Sequence, residues 1–276
     1  MRLSILLVLV IGLFPGVAAS KDALVELRTA DQAKAWEAVG RVNLIGTGFC
    51  TGALISSKLV LTAAHCMFDK RTGKRIAVEN IEFLAGWRDG RAAAQRFAKR
   101  VIINKDYRYL NEKRLDRVAS DIALIELEAP IQNTRILPFD AATRPRVGDQ
   151  VQIVSYAKDR ENAPSLEETC RVLGKDPSVL VLSCHVNFGA SGAPIFVIKD
   201  GVPLIASVVS AKAEWNNQKV ALGASLGRPL KELIAALNAS DGVFQKVESV
   251  SSGNTGLLSL TGSGKAGSGF KKAGGS

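Results

Sequence analysis

The sequence has few of the residues that build metal sites and base-stacking surfaces. Its 276 residues include only two histidines and four cysteines, and no two cysteines are spaced as Cys-x-x-Cys. Structural metal sites need several such ligands at close spacing, so we expect no metal centre. Aromatic residues make up 6% of the chain, and no nucleic-acid-binding motif accompanies the formal net charge of +10. Nucleic acid is therefore not an expected partner, and the basic clusters are interpreted as solvated loops that attract acidic surfaces or substrates.

Long hydrophobic runs are also missing, except at the N-terminus. Arg2 precedes an apolar run over residues 5–11, and Val-Ala-Ala occupies positions 17–19. The run is too short to span a bilayer, and this order is typical of a secretory signal peptide cleaved after Ala19, with a membrane anchor as the alternative. The sequence thus predicts a signal peptide over residues 1–19. We expect the remainder to be a soluble monomer, secreted or periplasmic, without stable membrane insertion.

The predicted export indicates how the four cysteines are used. In an oxidising compartment an even number of cysteines indicates disulfides, and four cysteines allow three pairings. The nearest-neighbour pairing closes two small loops, Cys50–Cys66 and Cys170–Cys184. Each closure stabilises the fold by roughly 3 kcal/mol in the loop-entropy model.

Short apolar runs separated by turn residues dominate the rest of the chain, and they predict strands. Helical patterns are confined to a short stretch from Thr29 to Glu37 and a helix over 229–237. Residues 86–91 and 105–117 are polar and are interpreted as surface loops. Many short strands and little helix predict an all-β protein, and two sets of six strands predict two packed β-barrels. The predicted strands are 39–44, 49–55, 59–62, 81–84, 96–103 and 122–127, then 150–156, 169–173, 179–183, 193–198, 204–210 and 220–224.

The composition also predicts boundaries. An N-terminal segment over 20–37 precedes the first barrel, which we place at 38–139. The second barrel and its C-terminal helix follow at 140–240. From 241 to 276 we expect a Gly/Ser/Lys-rich tail without enough apolar residues to fold.

One hexapeptide suggests a nucleophile. Residues 189–194 read Gly-Ala-Ser-Gly-Ala-Pro and place Ser191 between glycines, where bare backbone N–H groups can approach its hydroxyl. Taken alone, this stretch is an ordinary small-residue turn before a strand. Serine is a poor nucleophile without a base and an acid that orients that base.

Only two histidines can supply the base. Of the two histidines, His65 follows a buried strand and precedes Cys66, while His185 follows Cys184. Asp121 opens the apolar strand Asp-Ile-Ala-Leu-Ile. Each residue by itself is typical of a strand end. In chain order, however, His65, Asp121 and Ser191 reproduce one of the known triad orders.

These motifs resemble the trypsin/chymotrypsin-like serine proteases. Thr-Ala-Ala-His-Cys at 62–66 is similar to the histidine motif of that family, and Cys50 lies where the partner cysteine lies. Residues 121–124 are similar to the aspartate motif. Residues 189–194 are similar to the serine motif, most closely in the bacterial branch that includes glutamyl endopeptidases. The resemblance covers about residues 39–237, and it implies two six-stranded antiparallel barrels of the chymotrypsin type.

The resemblance implies a role for each matching residue. His65 would act as general base and then general acid, Asp121 would orient it, and Ser191 would attack the substrate carbonyl. The N–H groups of Gly189 and Ser191 would form the oxyanion hole, and no metal or cofactor would be needed. Ser210, Ala211 and Lys212 would pair with the substrate backbone, with an ordinary edge strand as the alternative. We predict the disulfides Cys50–Cys66 and Cys170–Cys184.

Two departures from the family bear on activation and specificity. Ala190 stands where animal trypsins carry the aspartate that pairs with a newly cut N-terminus, so activation by that ion pair is not expected. His185 stands six residues before Ser191, where trypsin has an acid, so a preference for Lys or Arg is not supported. Val209 stands where glutamyl endopeptidases have a histidine. A Glu preference is therefore doubtful unless His185 substitutes, and by default His185 lines a pocket wall or the surface.

The sequence thus predicts a secreted serine endopeptidase that acts on protein or peptide substrates through an acyl-enzyme. The alternative is a catalytically silent binding module on the same fold. The presence of all three triad residues favours the enzyme.

Overall fold

The computed structural model describes residues 24–142, 144–176 and 178–245. The predicted signal peptide and most of the predicted tail lie outside these residues. Within them, no helix is both long and apolar enough to cross a membrane. The helices are α1 (Ala30–Ala33), α2 (Arg114–Ala119) and α3 (Gly227–Ala239). The strands are β1 (Leu24–Glu26), β2 (Val39–Leu44), β3 (Gly48–Leu54), β4 (Leu59–Thr62), β5 (Ile81–Ala85), β6 (Ala94–Ile103), β7 (Ala123–Leu127), β8 (Gln150–Ala157), β9 (Arg160–Asp176), β10 (Val179–Leu182), β11 (Pro194–Lys199), β12 (Val202–Trp215), β13 (Gln218–Ser225) and β14 (Val243–Gln245).

The strands form two closed antiparallel barrels of six strands each. In the first barrel the order is β6-β5-β2-β3-β4-β7, and β7 pairs back onto β6. In the second the order is β8-β9-β10-β13-β12-β11, and β11 pairs back onto β8. β14 extends the first sheet and β1 extends the second. The predicted all-β fold of two six-stranded barrels with a C-terminal helix is confirmed.

An aromatic cluster packs the two barrels together with the N-terminal segment. The ring of Phe196 in β11 lies 4.7 Å from Phe139, which belongs to the connection between the barrels, and 5.0 Å from Trp36. All three side chains are buried. Thr29 caps the N-terminus of α1 by accepting a hydrogen bond from the N–H of Gln32, and the chain after α1 brings Trp36 into this cluster. Burial of such large rings stabilises the contact between barrels.

Two stretches near the chain ends correct the sequence expectations. α3 follows the second barrel in sequence but packs against β6 and β7 of the first, with Leu230, Leu233 and Leu237 buried. The tail expected to be disordered from residue 241 begins with β14, because Val243 pairs with Ile102 of β6. The strand forms because Val243 and Phe244 are apolar and pack against the core, while pairing with β6 satisfies their backbone groups.

α2 corrects a further expectation, since a surface loop was predicted over 105–117. The helix forms because Val118, 1% exposed, packs with Val179, Val220 and Leu222 of the second barrel. Tertiary burial of one apolar side chain therefore outweighs the polar composition of this stretch.

Both predicted disulfides are present in the structure. Cys50 of β3 bonds to Cys66, and Cys170 of β9 bonds to Cys184. The first bond ties the turn after β4 to β3. The second ties the segment that leads to Ser191 to β9.

Candidate active site

His65 lies in a tight turn at the end of a buried strand. β4 ends at Thr62, and residues 64–67 form a single 3-10 turn that Cys66 anchors. The backbone N–H of His65 donates a hydrogen bond to Oδ1 of Asp121 at 2.8 Å, and Nδ1 of its ring lies 2.7 Å from Oδ2. Two contacts to one carboxylate fix both the backbone and the ring of His65.

Asp121 is buried, with 2% of its surface exposed, at the junction between α2 and β7. Besides the two contacts to His65, its Oδ2 accepts a hydrogen bond from the hydroxyl of Ser210 in β12. Tyr107 packs nearby, and burial, with the Asp121 charge adding to it, raises the pKa of the Tyr107 phenol. A carboxylate at Nδ1 favours the tautomer that carries its proton there, which leaves Nε2 of His65 as a proton acceptor.

Ser191 lies in a turn that only glycines can form. Gly189 and Gly192 have φ angles of +96° and +79°. A Cβ on Gly192 would lie 2.2 Å from Oγ1 of Thr62 and 2.3 Å from the carbonyl oxygen of Thr51. Both glycines are therefore required by backbone conformation and by close approach of the first barrel.

The turn also leaves two backbone donors free. The N–H of Ala190 donates to the carbonyl of Asn187, and that of Gly192 donates to the carbonyl of Val209. Among the residues that the structure describes, the N–H groups of Gly189 and Ser191 donate to no partner. Free N–H groups on either side of a serine can bind an anionic oxygen.

Thr51 in β3 holds this turn from the first barrel. Its N–H donates to the carbonyl of Ser191 at 2.8 Å, and its hydroxyl donates to the carbonyl of Gly189, also at 2.8 Å. The same hydroxyl accepts a hydrogen bond from the N–H of Tyr156 at 3.0 Å. Thr51 is fully buried, so these bonds are protected from water.

The structure brings most of the predicted site residues to one cleft. A cavity of about 260 Å³ is lined by His65, Ser191 and the predicted substrate-pairing residues Ser210, Ala211 and Lys212. Among the hydrogen bonds of the described residues, none joins the ring of His65 to the Ser191 hydroxyl. Such bonds are often long without substrate and shorten when it binds.

His185 lies in an adjoining cavity of about 610 Å³, which shares Val186, Asn187 and Lys212 with the first. Its N–H donates to both carboxylate oxygens of Glu167, at 3.1 Å and 3.0 Å, and its Nδ1 lies 3.2 Å from Oε1. Burial raises the pKa of the Glu167 carboxyl, although the hydrogen bonds from His185 oppose this rise. His185 thus lies beside the cavity of Ser191 rather than within its lining.

Two residues that line the cavity of Ser191, Phe188 and Lys70, were not predicted from the sequence. Phe188 is exposed, and the ammonium groups of Lys70 and Lys212 lie 5.4 Å and 4.6 Å from its ring centroid. Lys70 comes from the first half of the chain and Lys212 from the second, so each half contributes a cation to the lining of the cleft. The basic run over 70–75 was a signal, but it did not reveal which of its residues reaches the cleft.

Residues 28–177 match the family model described as Trypsin, which is more than half of the chain. The matched range contains His65 and Asp121 and ends before Ser191. The chain belongs to the trypsin family.

Individual relatives agree with this assignment over part of their length. The serine protease nikobin of Vipera nikolskii is 30% identical over 179 residues, which is 53% of this chain and 62% of nikobin. The glutamyl endopeptidase of Bacillus licheniformis is 27% identical over 152 residues, which is 54% of this chain and 45% of that enzyme. The chain thus spans less than two thirds of these relatives.

A solved structure shares the fold more completely. A Glu endopeptidase in complex with MPD superposes with a TM-score of 0.65, covering 81% of this chain and all of that one, at 18% sequence identity. At this sequence identity, the superposition shows that the two chains share a fold.

Disulfide-bonded cysteines belong to both groups of potential metal ligands among the residues that the structure describes. One group is Cys50, Cys66 and His65, and the other is Cys170, Cys184 and Glu167. Cysteines joined in a disulfide have no thiolate to offer a metal ion. Neither group therefore fits a metal site.

Proposed function

We propose that the chain is a serine endopeptidase that hydrolyses peptide bonds through an acyl-enzyme. The observation that carries the proposal is the double contact between Asp121 and His65 in the cleft that Ser191 lines. Membership of the trypsin family supports the reaction class. In this proposal His65, Asp121 and Ser191 form the catalytic triad.

The reaction follows from the properties of these groups. The Ser191 oxygen attacks the substrate carbonyl carbon while its proton passes to Nε2 of His65. The N–H groups of Gly189 and Ser191 donate to the oxyanion that develops. His65 then protonates the leaving amine, and the acyl-enzyme remains. Water, deprotonated by His65, releases the acid product and restores the serine.

Asp121 has a supporting part in this scheme. Its carboxylate holds the proton on Nδ1 and stabilises the imidazolium that forms when His65 accepts the Ser191 proton. The hydroxyl of Ser210 holds the carboxylate in place from the second barrel.

The charge around the cleft supports a preference for neutral or acidic substrates over basic ones. Among described residues, no acid lines the cavity of Ser191, whereas Lys70 and Lys212 do. The adjoining cavity has one acidic lining residue, Glu214, against four basic ones. A relative named glutamyl endopeptidase is consistent with acidic side chains entering this region. The basic residues of the adjoining cavity are Arg114, Arg160, Lys212 and Lys219.

We also propose that the protein is exported. The apolar N-terminal stretch and the two disulfides support this, because structural disulfides persist in oxidising compartments. Whether the destination is the periplasm or the medium makes no difference to the chemistry.

A peptide-library digest tests the proposal. We expect the wild-type protein to cut internal peptide bonds and the Ser191→Ala variant to lose this activity by about 10³-fold or more. Ser57→Ala, which changes an exposed serine in the turn between β3 and β4 that lines neither cavity, serves as the control. Cleavage that persists in Ser191→Ala would refute the mechanism. A folded wild-type protein that cuts nothing would favour the silent binding module instead.

A further inference from the structure

The part of β12 that follows Val209 has an open edge beside Ser191. β11 pairs with β12 only as far as Val208, and Val209 continues that edge through hydrogen bonds with Gly192 and Ala193. Beyond Val209, none of the described residues pairs with β12 on this side, while β13 covers the other side as far as Trp215. An open edge of this kind can accept an extended peptide as an additional strand.

The register with β13 shows where the carbonyl of Lys212 points. Val209 lies opposite Gly223 and directs its N–H and C=O away from β13, toward the β11 side. The register then shifts by one residue, so that Ala211 lies opposite Leu222. Because successive pairs of an antiparallel ladder alternate, Ala211 directs its polar groups to β13 and Lys212 directs its own to the open edge.

Arg114 occupies this acceptor in the free protein. Its guanidinium donates a hydrogen bond to the carbonyl oxygen of Lys212. Arg114 is the first residue of α2, whose position is fixed by the buried side chain of Val118. The Arg114 side chain itself is exposed, and within the described residues no carboxylate forms an ion pair with it. A fixed backbone with an exposed side chain lets the guanidinium leave without moving the helix.

We propose that Arg114 is a specificity-determining residue that blocks the Lys212 carbonyl until a substrate with an acidic side chain draws the guanidinium away. The inference rests on the proposed function and deepens it. A peptide that extends along β12 must donate an N–H to the Lys212 carbonyl, and it therefore competes with Arg114. A carboxylate near this edge offers the guanidinium a bidentate partner, which is stronger than a single bond to a neutral carbonyl.

The charge around Arg114 strengthens this exchange. Arg160, Lys212 and Lys219 line the same cavity, so a carboxylate that enters is attracted by several cations at once. Neutral extended peptides gain no such compensation. The protein is thus expected to distinguish acidic from neutral substrates chiefly when they are long enough to reach Lys212.

Three fluorogenic peptides with one shared scissile bond test the proposal. The first is too short to reach Lys212, the second extends over the β12 edge with neutral residues, and the third carries Glu in that extension. We expect Arg114→Ala to lower the KM of the long neutral peptide about threefold to tenfold, as expected for removing one competing hydrogen bond. The acidic peptide should lose most of its advantage over the neutral one, keeping only the part that Arg160, Lys212 and Lys219 supply, and the short peptide should be unaffected.

Arg108→Ala is the matched control. Arg108 lies in the same connection, is exposed and also donates to backbone carbonyls, but it lines a different cavity. Its substitution should change none of the three KM values. The proposal is overturned if Arg114→Ala leaves both the KM of the long neutral peptide and the acidic preference unchanged.

The same comparison is made for binding, with the peptides labelled and Ser191→Ala as the background. Dissociation constants from fluorescence anisotropy should show the same loss of the acidic advantage when Arg114→Ala is added. This measurement does not need turnover. If the wild-type protein cleaves no peptide, the proposed function fails, while binding still decides whether Arg114 competes for the Lys212 edge.

Discussion

The N–H of Thr51 donates a hydrogen bond to the carbonyl of Ser191 at 2.8 Å, so a strand of the first barrel holds the serine turn of the second. The hydroxyl of Thr51 adds a bond to Gly189, which is 138 residues away in sequence. The two halves of the candidate site therefore do not meet by barrel packing alone. A single buried threonine joins the strand that carries Cys50 to the turn that carries the proposed nucleophile.

Replacing Thr51 by valine should therefore impair both stability and activity. The change keeps the shape of the side chain but leaves the N–H of Tyr156 and the carbonyl of Gly189 without their partner. An unsatisfied buried group costs about 1–3 kcal/mol, and this loss should appear as a lower free energy of unfolding in urea. Thr51→Ser keeps the hydroxyl and should retain most of both properties. Equal behaviour of the two variants would contradict this assignment.

Gly192→Ala separates steric clash from backbone strain. The added Cβ would approach Thr62 and Thr51, and the residue would also have to keep a positive φ. We expect a loss of about 2–5 kcal/mol in the free energy of unfolding, or failure to fold. Gly90→Ala is the control, because Gly90 has a φ of +81° and no atom within 4 Å of an added Cβ. It should cost only about 1–2 kcal/mol. Similar losses at the two positions would show that close packing at Gly192 is unimportant.

Asp121→Asn tests the orienting role of the carboxylate. An amide at this position favours the other tautomer of His65, with Nε2 protonated and unable to accept the serine proton. We expect kcat to fall by about 10⁴-fold at neutral pH while the fold is retained, as measured by initial rates and circular dichroism. Asp116→Asn, an exposed acid in the first turn of α2, should have no such effect. Unchanged kcat in Asp121→Asn would remove this residue from the triad.

Glu167 should make stability depend on pH. Burial raises the pKa of its carboxyl above the ordinary value of 4.5 in the folded protein. The folded state thus holds the proton to higher pH than the unfolded chain, and the stability that this group contributes at low pH is lost as pH rises through the raised pKa. Glu167→Gln still offers an acceptor to His185 and should show a smaller decline over this interval.

Unfolding curves in urea at a series of pH values measure this difference. Glu168→Gln, the exposed neighbour on the same strand, is the control and should follow the wild-type pH dependence. If Glu167→Gln also follows it, burial of this carboxyl does not affect stability.

Local sequence patterns predicted most of the barrel strands because each alternates or buries its side chains within a few residues. β7 is buried throughout and β2 alternates in part, and both patterns are visible without tertiary information. β9 and β12 extend well beyond their predictions of 169–173 and 204–210. The residues that β9 adds are largely polar and include Pro164, and pairing with β8 makes them part of a strand. The residues that β12 adds after Ser210 include Lys212 and Glu214, and pairing with β13 makes them part of a strand.

The same distinction holds for the site. Each of the histidine, aspartate and serine motifs is an uninterrupted run of a few residues, so each could be recognised in the sequence. The contacts of Thr51 and Arg114 could not, because they join residues 138 and 98 positions apart through hydrogen bonds to backbone carbonyls. A carbonyl acceptor has no residue-type signature, so nothing in the sequence identifies it.

Active-site labelling is the direct test of Ser191 as a nucleophile activated by His65. Purified protein is treated with a fluorophosphonate, which phosphonylates only an activated serine, and the modified residue is identified by mass spectrometry. We expect a single adduct on Ser191 in the wild-type protein and none in the His65→Ala variant, because the serine then lacks its base. Adduct formation on another residue, or equal labelling of wild type and His65→Ala, would contradict it.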